Sequence, residues 1–251
     1  MLLLHEKWLT HAENLCVRAG QKHIDVLVDR AGSSSSLQEA IRDMDPPVSW
    51  HSLFENTPEE ALTEEAPLLM RLDLSAWQHK TWLSELMQHF QGTPRLLLAI
   101  TPLPFEQFAQ HLHTLAEVKW GEQTGLLRFY DTRIFPLLFS HVLTQEQQMA
   151  FSHLALLWGW LDRDRHIVWK AGIYEPGNKL PEKPDPISVE DVQIEMLGCI
   201  SDAQNLMPQF DRESMTKEQH FSRCFDIALD ASRNGYLGEL FSYAMERMKK
   251  T

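Results

Sequence analysis

No stretch of this chain is rich in cysteine, in basic charge or in uninterrupted apolar residues, and each shortage removes a class of protein. The three cysteines, Cys16, Cys199 and Cys224, lie far apart and form no C-x-x-C pair. That spacing fits buried thiols of a reducing compartment, not a disulfide framework. Lys and Arg number 23 against 35 Asp and Glu, for a net charge of −12. Nucleic-acid binding normally shows a basic face, and no cluster here exceeds short pairs. The cations of the C-terminal "MERMKK" sit where a helix macrodipole favours them. The N-terminal "MLLLHEKW" has no basic leader and regains charge after three leucines. It reads as neither signal peptide nor membrane span, and no other run reaches membrane length. The expectation is a soluble cytoplasmic protein with no nucleic-acid and no membrane partner.

Reaction motifs are equally scarce. There is no G-x-S-x-G, no P-loop, no G-x-G-x-x-G and no H-E-x-x-H. Of the twelve histidines, the close pair His111 and His113 falls at i and i+2 of an expected helix. Such residues point to different sides and cannot grip one ion together. Ser52 beside His51 makes a poor dyad, because neighbours on an extended chain face opposite ways. Asp162 and Asp164 sit beside Arg163 and Arg165 in "LDRDR", which reads as a solvated turn with local ion pairs. The expectation is no catalytic residue, no cofactor and no metal.

What the chain does have is apolar content of 43 %, with eight Trp and twelve Phe, arranged in recognisable periods. Helix is expected over about Leu3 to Arg18. "HIDVLVDRA" alternates Ile24, Val26 and Val28 against Asp25, Leu27 and Asp29, as a strand does. Ser36 with Glu39 spells a capping box for the next helix. Thr57, Pro58 and Glu60 suggest a cap, a first helical position and a box after a Pro-rich connection. "APLLMRLDL" is a strand and "SAWQHKTWLSELMQHF" a helix with Trp82, Leu83, Leu86 and Phe90 on one side. "RLLLAIT" has the continuous apolar character of a strand buried on both faces. A helix with Phe105, Phe108, Leu112 and Leu115 follows, then "GLLRFYD" as a strand and a helical stretch after Pro136. Thr144 with Gln147 caps another helix, and "LLWGWLDRDRHIVWK" reads as a hairpin turning at "DRDR".

Composition changes at residues 172–187, which are Pro-rich and poor in apolar residues, a linker signature. Three helices follow. The first is ended by Pro208, the second is capped by Thr216 with Gln219 and closed by Asn234-Gly235, and the last is "YLGELFSYAMERMKK". The expected architecture is an α/β (α+β) lobe with a mixed sheet over residues 1–171, the linker, and a small all-helical lobe over 188–251. A helical lobe of that size is marginal alone and should lean on the first lobe or on a partner.

"LLRFYDTRIF", residues 126–135, sets Arg128, Asp131 and Arg133 in an apolar run. Charges there need partners or a job. If the segment is a strand, Asp131 ends it, free to cap backbone N–H groups or to pair with Arg128 or Arg133. One Asp and two Arg supply neither nucleophile nor base, so the structural clamp is favoured.

In order along the chain, "PPVSWHSLFENTPEEALTEEAPLLMRL", "RLLLAIT", "FAQHLHTLAEV", "LLRFYDTRIFPLLF" and "EQQMAF…WGW" resemble the N-terminal domain of the type VI secretion effector adaptors, the Tap or TEC chaperones. The resemblance covers about residues 23–170 and is strongest in "SLFENTPEE" and "LLRFYDTR"; in the tail it is carried mostly by "NGYLGELFSYA". The sequence departs from the pattern in Ala66, where Gly is expected, and Thr132, where Pro is common. The resemblance implies a non-enzymatic protein of the bacterial cytoplasm that binds a cognate toxic effector and helps load it onto the VgrG spike. The motif residues are Trp50, His51, Leu53, Phe54, Arg128, Tyr130, Asp131 and Arg133. Candidate partner-binding anchors in the helical lobe are Phe221, Phe225, Tyr236, Leu240 and Phe241, each of which could instead pack between helices. The alternative is a hydrolase or transferase with a dispersed site around Arg128, Asp131 and His51, which requires one pocket to gather those side chains.

Overall fold

The computed structural model describes residues 2–32, 37–177, 180–210 and 214–248. Ser36 of the expected capping box and the last two lysines of "MERMKK" lie outside these. In chain order the first half contains α1 (Leu4–Arg18), β1 (His23–Val28), α2 (Leu37–Arg42), β2 (Ser49–Ser52), β3 (Leu68–Asp73), α3 (Trp77–Phe90), β4 (Leu96–Ile100) and α4 (Phe105–Leu115). Then come β5 (Glu117–Trp120), β6 (Gln123–Leu126), the short α5 (Phe135–Leu137), α6 (Gln145–Ser152), β7 (Leu157–Leu161), β8 (Ile167–Ala171) and β9 (Ile187–Ser188). The chain closes with α7 (Asp191–Leu206), α8 (Lys217–Arg233) and α9 (Leu240–Met248).

Six strands form one sheet in the order β2-β3-β1-β4-β7-β8, and every pairing in it is antiparallel. The mixed pairing lies in a second, three-stranded sheet, where β5 pairs antiparallel with β6 and parallel with β9. Helices cover both faces of the large sheet. Ile24, Val26 and Val28 of β1, with Leu68, Met70 and Leu72 of β3, pack against Trp8 of α1 and Leu83 and Met87 of α3. On the opposite face Leu27, Leu69, Leu97 and Ala99 join Phe108 and Leu112 of α4. The period-2 pattern of β1 therefore holds, but it separates two buried layers rather than core from solvent.

Asp25 pays for that arrangement. It is fully buried, directly opposite Arg71 on β3. Arg71 donates Nε and Nη2 to its two carboxylate oxygens, both at 2.8 Å, and Nη1 to the Leu103 carbonyl at 2.9 Å. The bidentate fork replaces the water both groups give up.

The "WGW" run is explained by its neighbour strand. Gly159 lies opposite Trp169, and a Cβ on Gly159 would sit 2.6 Å from the Trp169 ring. The missing side chain lets that indole lie across β7, while Trp158 and Trp160 point into the core beside Phe135.

The C-terminal helices share this second core. Ile200 and Ala203 of α7 and Phe225 and Ala228 of α8 belong to one apolar cluster with Phe135, Phe151 and Trp158. Gln147 of α6 and Gln193 of α7, each at the third position of its helix, hydrogen-bond one another at 2.7 Å. Gln193 also donates to the Val142 carbonyl and Gln147 to that of Ser188. Residues 172–177 and 180–186 form no helix or strand, yet they are anchored. Tyr174 and Leu180 pack against the second core, and Ile187 is buried against β5. The expected boxes at Thr144–Gln147 and Thr216–Gln219 are both present. Gly235 at φ 61° closes α8 with N–H bonds from Gly235 to Ser232 and from Tyr236 to Ala231.

Two local expectations are corrected. Thr57 does not cap a helix: its hydroxyl donates to the Phe54 carbonyl and accepts from the Glu59 N–H. Only a single 3-10 turn, Glu60–Leu62, follows. The "VSWHS" connection holds strand β2 at the sheet edge.

Candidate functional site

"GLLRFYD" is a strand only in its first two residues, Gly125 and Leu126. β6 ends at Leu126, where its pairing with Glu117 stops. From there Leu127, Phe129, Tyr130, Asp131 and Thr132 are all buried, which no alternating strand facing water could achieve. The chain turns instead, with Phe129 N–H bonding Leu127 O and Asp131 N–H bonding Arg128 O. Phe129 packs edge-on against Phe151 at 5.3 Å, and Phe135 reaches Trp158 and Trp160. These aromatic anchors fix the corner from below.

The charges fix it from above. Asp131 Oδ1 accepts the Arg133 backbone N–H at 2.9 Å, an Asx-type turn. The Arg133 guanidinium reaches both oxygens of the same carboxylate, with Nη2 at 2.6 Å from Oδ2. Arg128 bonds Asp29, at the end of β1, through Nη2 at 2.9 Å. The Thr132 N–H bonds the Pro94 carbonyl at the start of β4. The corner is thus tied to both central strands of the large sheet.

The "DRDR" tip does more than solvate. Asp162 accepts from the His166 N–H and pairs with its ring, as a local turn does. Asp164 acts at long range: its oxygens accept the N–H groups of Lys217 at 2.7 Å and Glu218 at 3.1 Å, capping α8. Burial is the largest single influence and raises the Asp164 carboxyl, but the two N–H donors, the Thr216 hydroxyl and His166 together outweigh it, so its pKa lies below the usual carboxylate range. Arg163 lies over the Phe221 ring at 3.7 Å. It pairs with Glu218 at 3.0 Å and donates Nη2 to the Arg133 carbonyl at 3.1 Å. Sequence reasoning missed Arg163 and Asp164 as the latch between hairpin, corner and α8. The signal was present only as charges between two aromatic strands.

Two hollows open beside the corner. One, of about 170 Å³, is lined by Asp29, Thr93, Pro94, Arg95, Arg128 and Arg133. The other, of about 210 Å³, meets it at Thr93, Pro94 and Arg133 and continues past Leu161, Arg163, Arg165, Met207 and Lys217. His51 lies elsewhere, on β2, beside a separate hollow of about 400 Å³ shared with Trp50, Glu55 and His113. Its ring stands 5.7 Å from that of His113 and its Nδ1 3.4 Å from Glu55. Burial lowers its pKa, with Glu55 pulling the other way. Leu53 and Phe54 are buried. None of these three hollows gathers Arg128, Asp131 and His51, and among the described residues no group of three His, Cys, Asp or Glu side chains could hold a metal ion. No described helix is long and apolar enough to cross a membrane.

The helical candidates divide. Phe221 and Phe225 are buried and stacked at 5.7 Å, so packing consumes them and they offer no surface. Leu240 and Phe241 are half-buried, Phe241 stacking on Phe210. Tyr236 is exposed, packed on one side by Tyr243. The fully exposed Leu237 beside it was not singled out by its sequence context.

Residues 26–150 match the model of a family described as "Domain of unknown function (DUF4123)". No curated protein and no solved structure matches the chain.

Proposed function

We propose that this protein is an adaptor of the type VI secretion system, which binds a cognate toxic effector in the producing cell and helps load it onto the VgrG spike. The observation that carries this reading is the match of residues 26–150 to the DUF4123 family. That match falls inside the segment whose motifs resemble the Tap and TEC adaptors. The corner supports it chemically. Asp131 is paired with Arg133, Arg128 with Asp29 and Arg163 with Glu218, so each corner charge is positioned by a partner, as in a scaffold. In this reading residues 1–171 are the shared scaffold and 188–251 select cargo, with Tyr236, Leu240 and Phe241 as remaining anchor candidates. The protein acts in the cytoplasm and catalyses nothing itself.

The test is co-expression with the effector encoded beside it. The effector's soluble fraction should rise several-fold with this protein present. An effector equally soluble without it, and forming no complex with it, contradicts the proposal.

A further inference from the structure

The cleft beside the corner is a cationic feature on an anionic protein. The chain carries a net charge of −12, yet six Arg and Lys side chains line the two joined hollows. Three of them, Arg128, Arg133 and Arg163, are held in place by one carboxylate each. The side chains of Arg128 and Arg133 remain 42 % and 39 % exposed, so the pairing orients them without covering them. Arg95, Arg165 and Lys217 have no ion-pair partner among the described contacts, although all three line the cleft. Asp162 and Asp164, beside Arg165 in the chain, are committed elsewhere, Asp162 to His166 and Asp164 to the α8 N-terminus, and Asp29 is paired with Arg128. Arg133 stands close enough to both Arg128 and Arg163 for their charges to be felt. Unpaired cations set beside prealigned arginines favour an anion.

We propose that this cleft is the docking groove for an acidic, extended segment of the partner protein. Its carboxylates would meet Arg95, Arg128 and Arg133, and an apolar side chain would lie between Leu161 and Met207. Arginine forks match carboxylates bidentately. The second hollow has aliphatic walls and, in its lining, no aromatic ring on which a nucleobase could stack. The two hollows share Thr93, Pro94 and Arg133 in their linings, which suits a chain reaching across both rather than a compact ion. The proposal rests on the adaptor reading for the identity of the partner, and on the cleft alone for its chemistry.

The test is fluorescence anisotropy with the full-length protein and a short labelled peptide that alternates Glu with Leu. The same peptide with Lys for Glu, inorganic phosphate and adenosine triphosphate are the comparisons. The Glu peptide should bind, and rising salt should weaken it. Arg95→Glu and Arg165→Glu should each weaken binding about tenfold or more at an unchanged melting temperature, since neither side chain is paired. Arg95→Gln, which changes charge less, should give a smaller loss in the same direction. No binding, equal binding of the Lys peptide, or indifference to these variants overturns the proposal. Displacement by phosphate or adenosine triphosphate at lower concentrations than the Glu peptide itself needs also overturns it, in favour of a phosphate ligand. If the effector co-purifies equally with wild type and Arg95→Glu/Arg165→Glu, the groove fails and the adaptor reading stands. If it never co-purifies with wild type, the adaptor reading fails whatever the peptide does.

Discussion

Asp131 is 1 % exposed, and its position is tolerable only because one residue, Arg133, supplies both a backbone N–H and a guanidinium fork. Asp131→Ala strands Arg133 and opens the turn, and should cost about 2 kcal/mol of stability. Effector loading should fall only as far as the folded fraction does. Paired measurements of melting temperature and loading check this, and lost loading at an unchanged melting temperature would mean direct contact instead. Asp25 is the second buried carboxylate with a consequence. Burial pushes its pKa up to about 6, with Arg71 pulling back against it. The folded state therefore holds this proton more tightly than the unfolded chain, whose value is about 3.9. Its contribution to stability is full below about pH 4 and is lost as pH rises through about 6. Carbon NMR of the Asp25 carboxyl should show a midpoint near 6, and a midpoint near 4 would contradict the assignment. Asp131 could be named from the sequence as a charge in an apolar run, whereas Asp25 reads there only as one of the alternating positions of a strand. Arg133 is one of the partners the sequence offers Asp131, and the turn confirms it; Arg71 is not legible, because strand register selects it and periodicity does not encode register.

Elements with local signals were legible. Thr144–Gln147 and Thr216–Gln219 announce their helices through hydrogen bonds three residues apart, and β4 announces itself as five successive buried apolar residues. Elements defined by distant partners were not. The β5–β6 hairpin is exposed at most positions, so it has no apolar period, and β2 is a strand only because β3 offers it an edge. In "GLLRFYD" an apparent alternation arises from a turn that buries Leu127, Phe129, Tyr130 and Asp131 and leaves Arg128 exposed. The "DRDR" tip belongs to the same class: its role is visible only once α8 stands beside it. Asp164→Ala removes that long-range cap and should cost about 1 kcal/mol. Limited proteolysis should then cut faster within residues 172–186, before any loss of the large sheet. Because the Asp164 carboxyl titrates below its usual range, its contribution is present above about pH 4 and is lost as pH falls below that. Equal cleavage of wild type and variant would show that the latch does not hold the helices.

At the scale of the molecule, an antiparallel sheet is sandwiched between two helical layers, and the second layer is completed by the C-terminal helices. The corner, the hairpin tip and α8 meet where that layer closes, and the cationic cleft follows the same line. The sheet region and the C-terminal helices are thereby joined by charge as well as by apolar packing. The adaptor reading gives this junction a purpose, since partners would engage it, and none of the three hollows described above gathers Arg128, Asp131 and His51. Co-expression of this protein with the effector and VgrG encoded beside it, followed by size-exclusion chromatography, tests the central claim most directly. The expected result is one peak containing all three chains, or this protein with the effector, that is absent when either this protein or the effector is left out. Separate elution of this protein from both would contradict it.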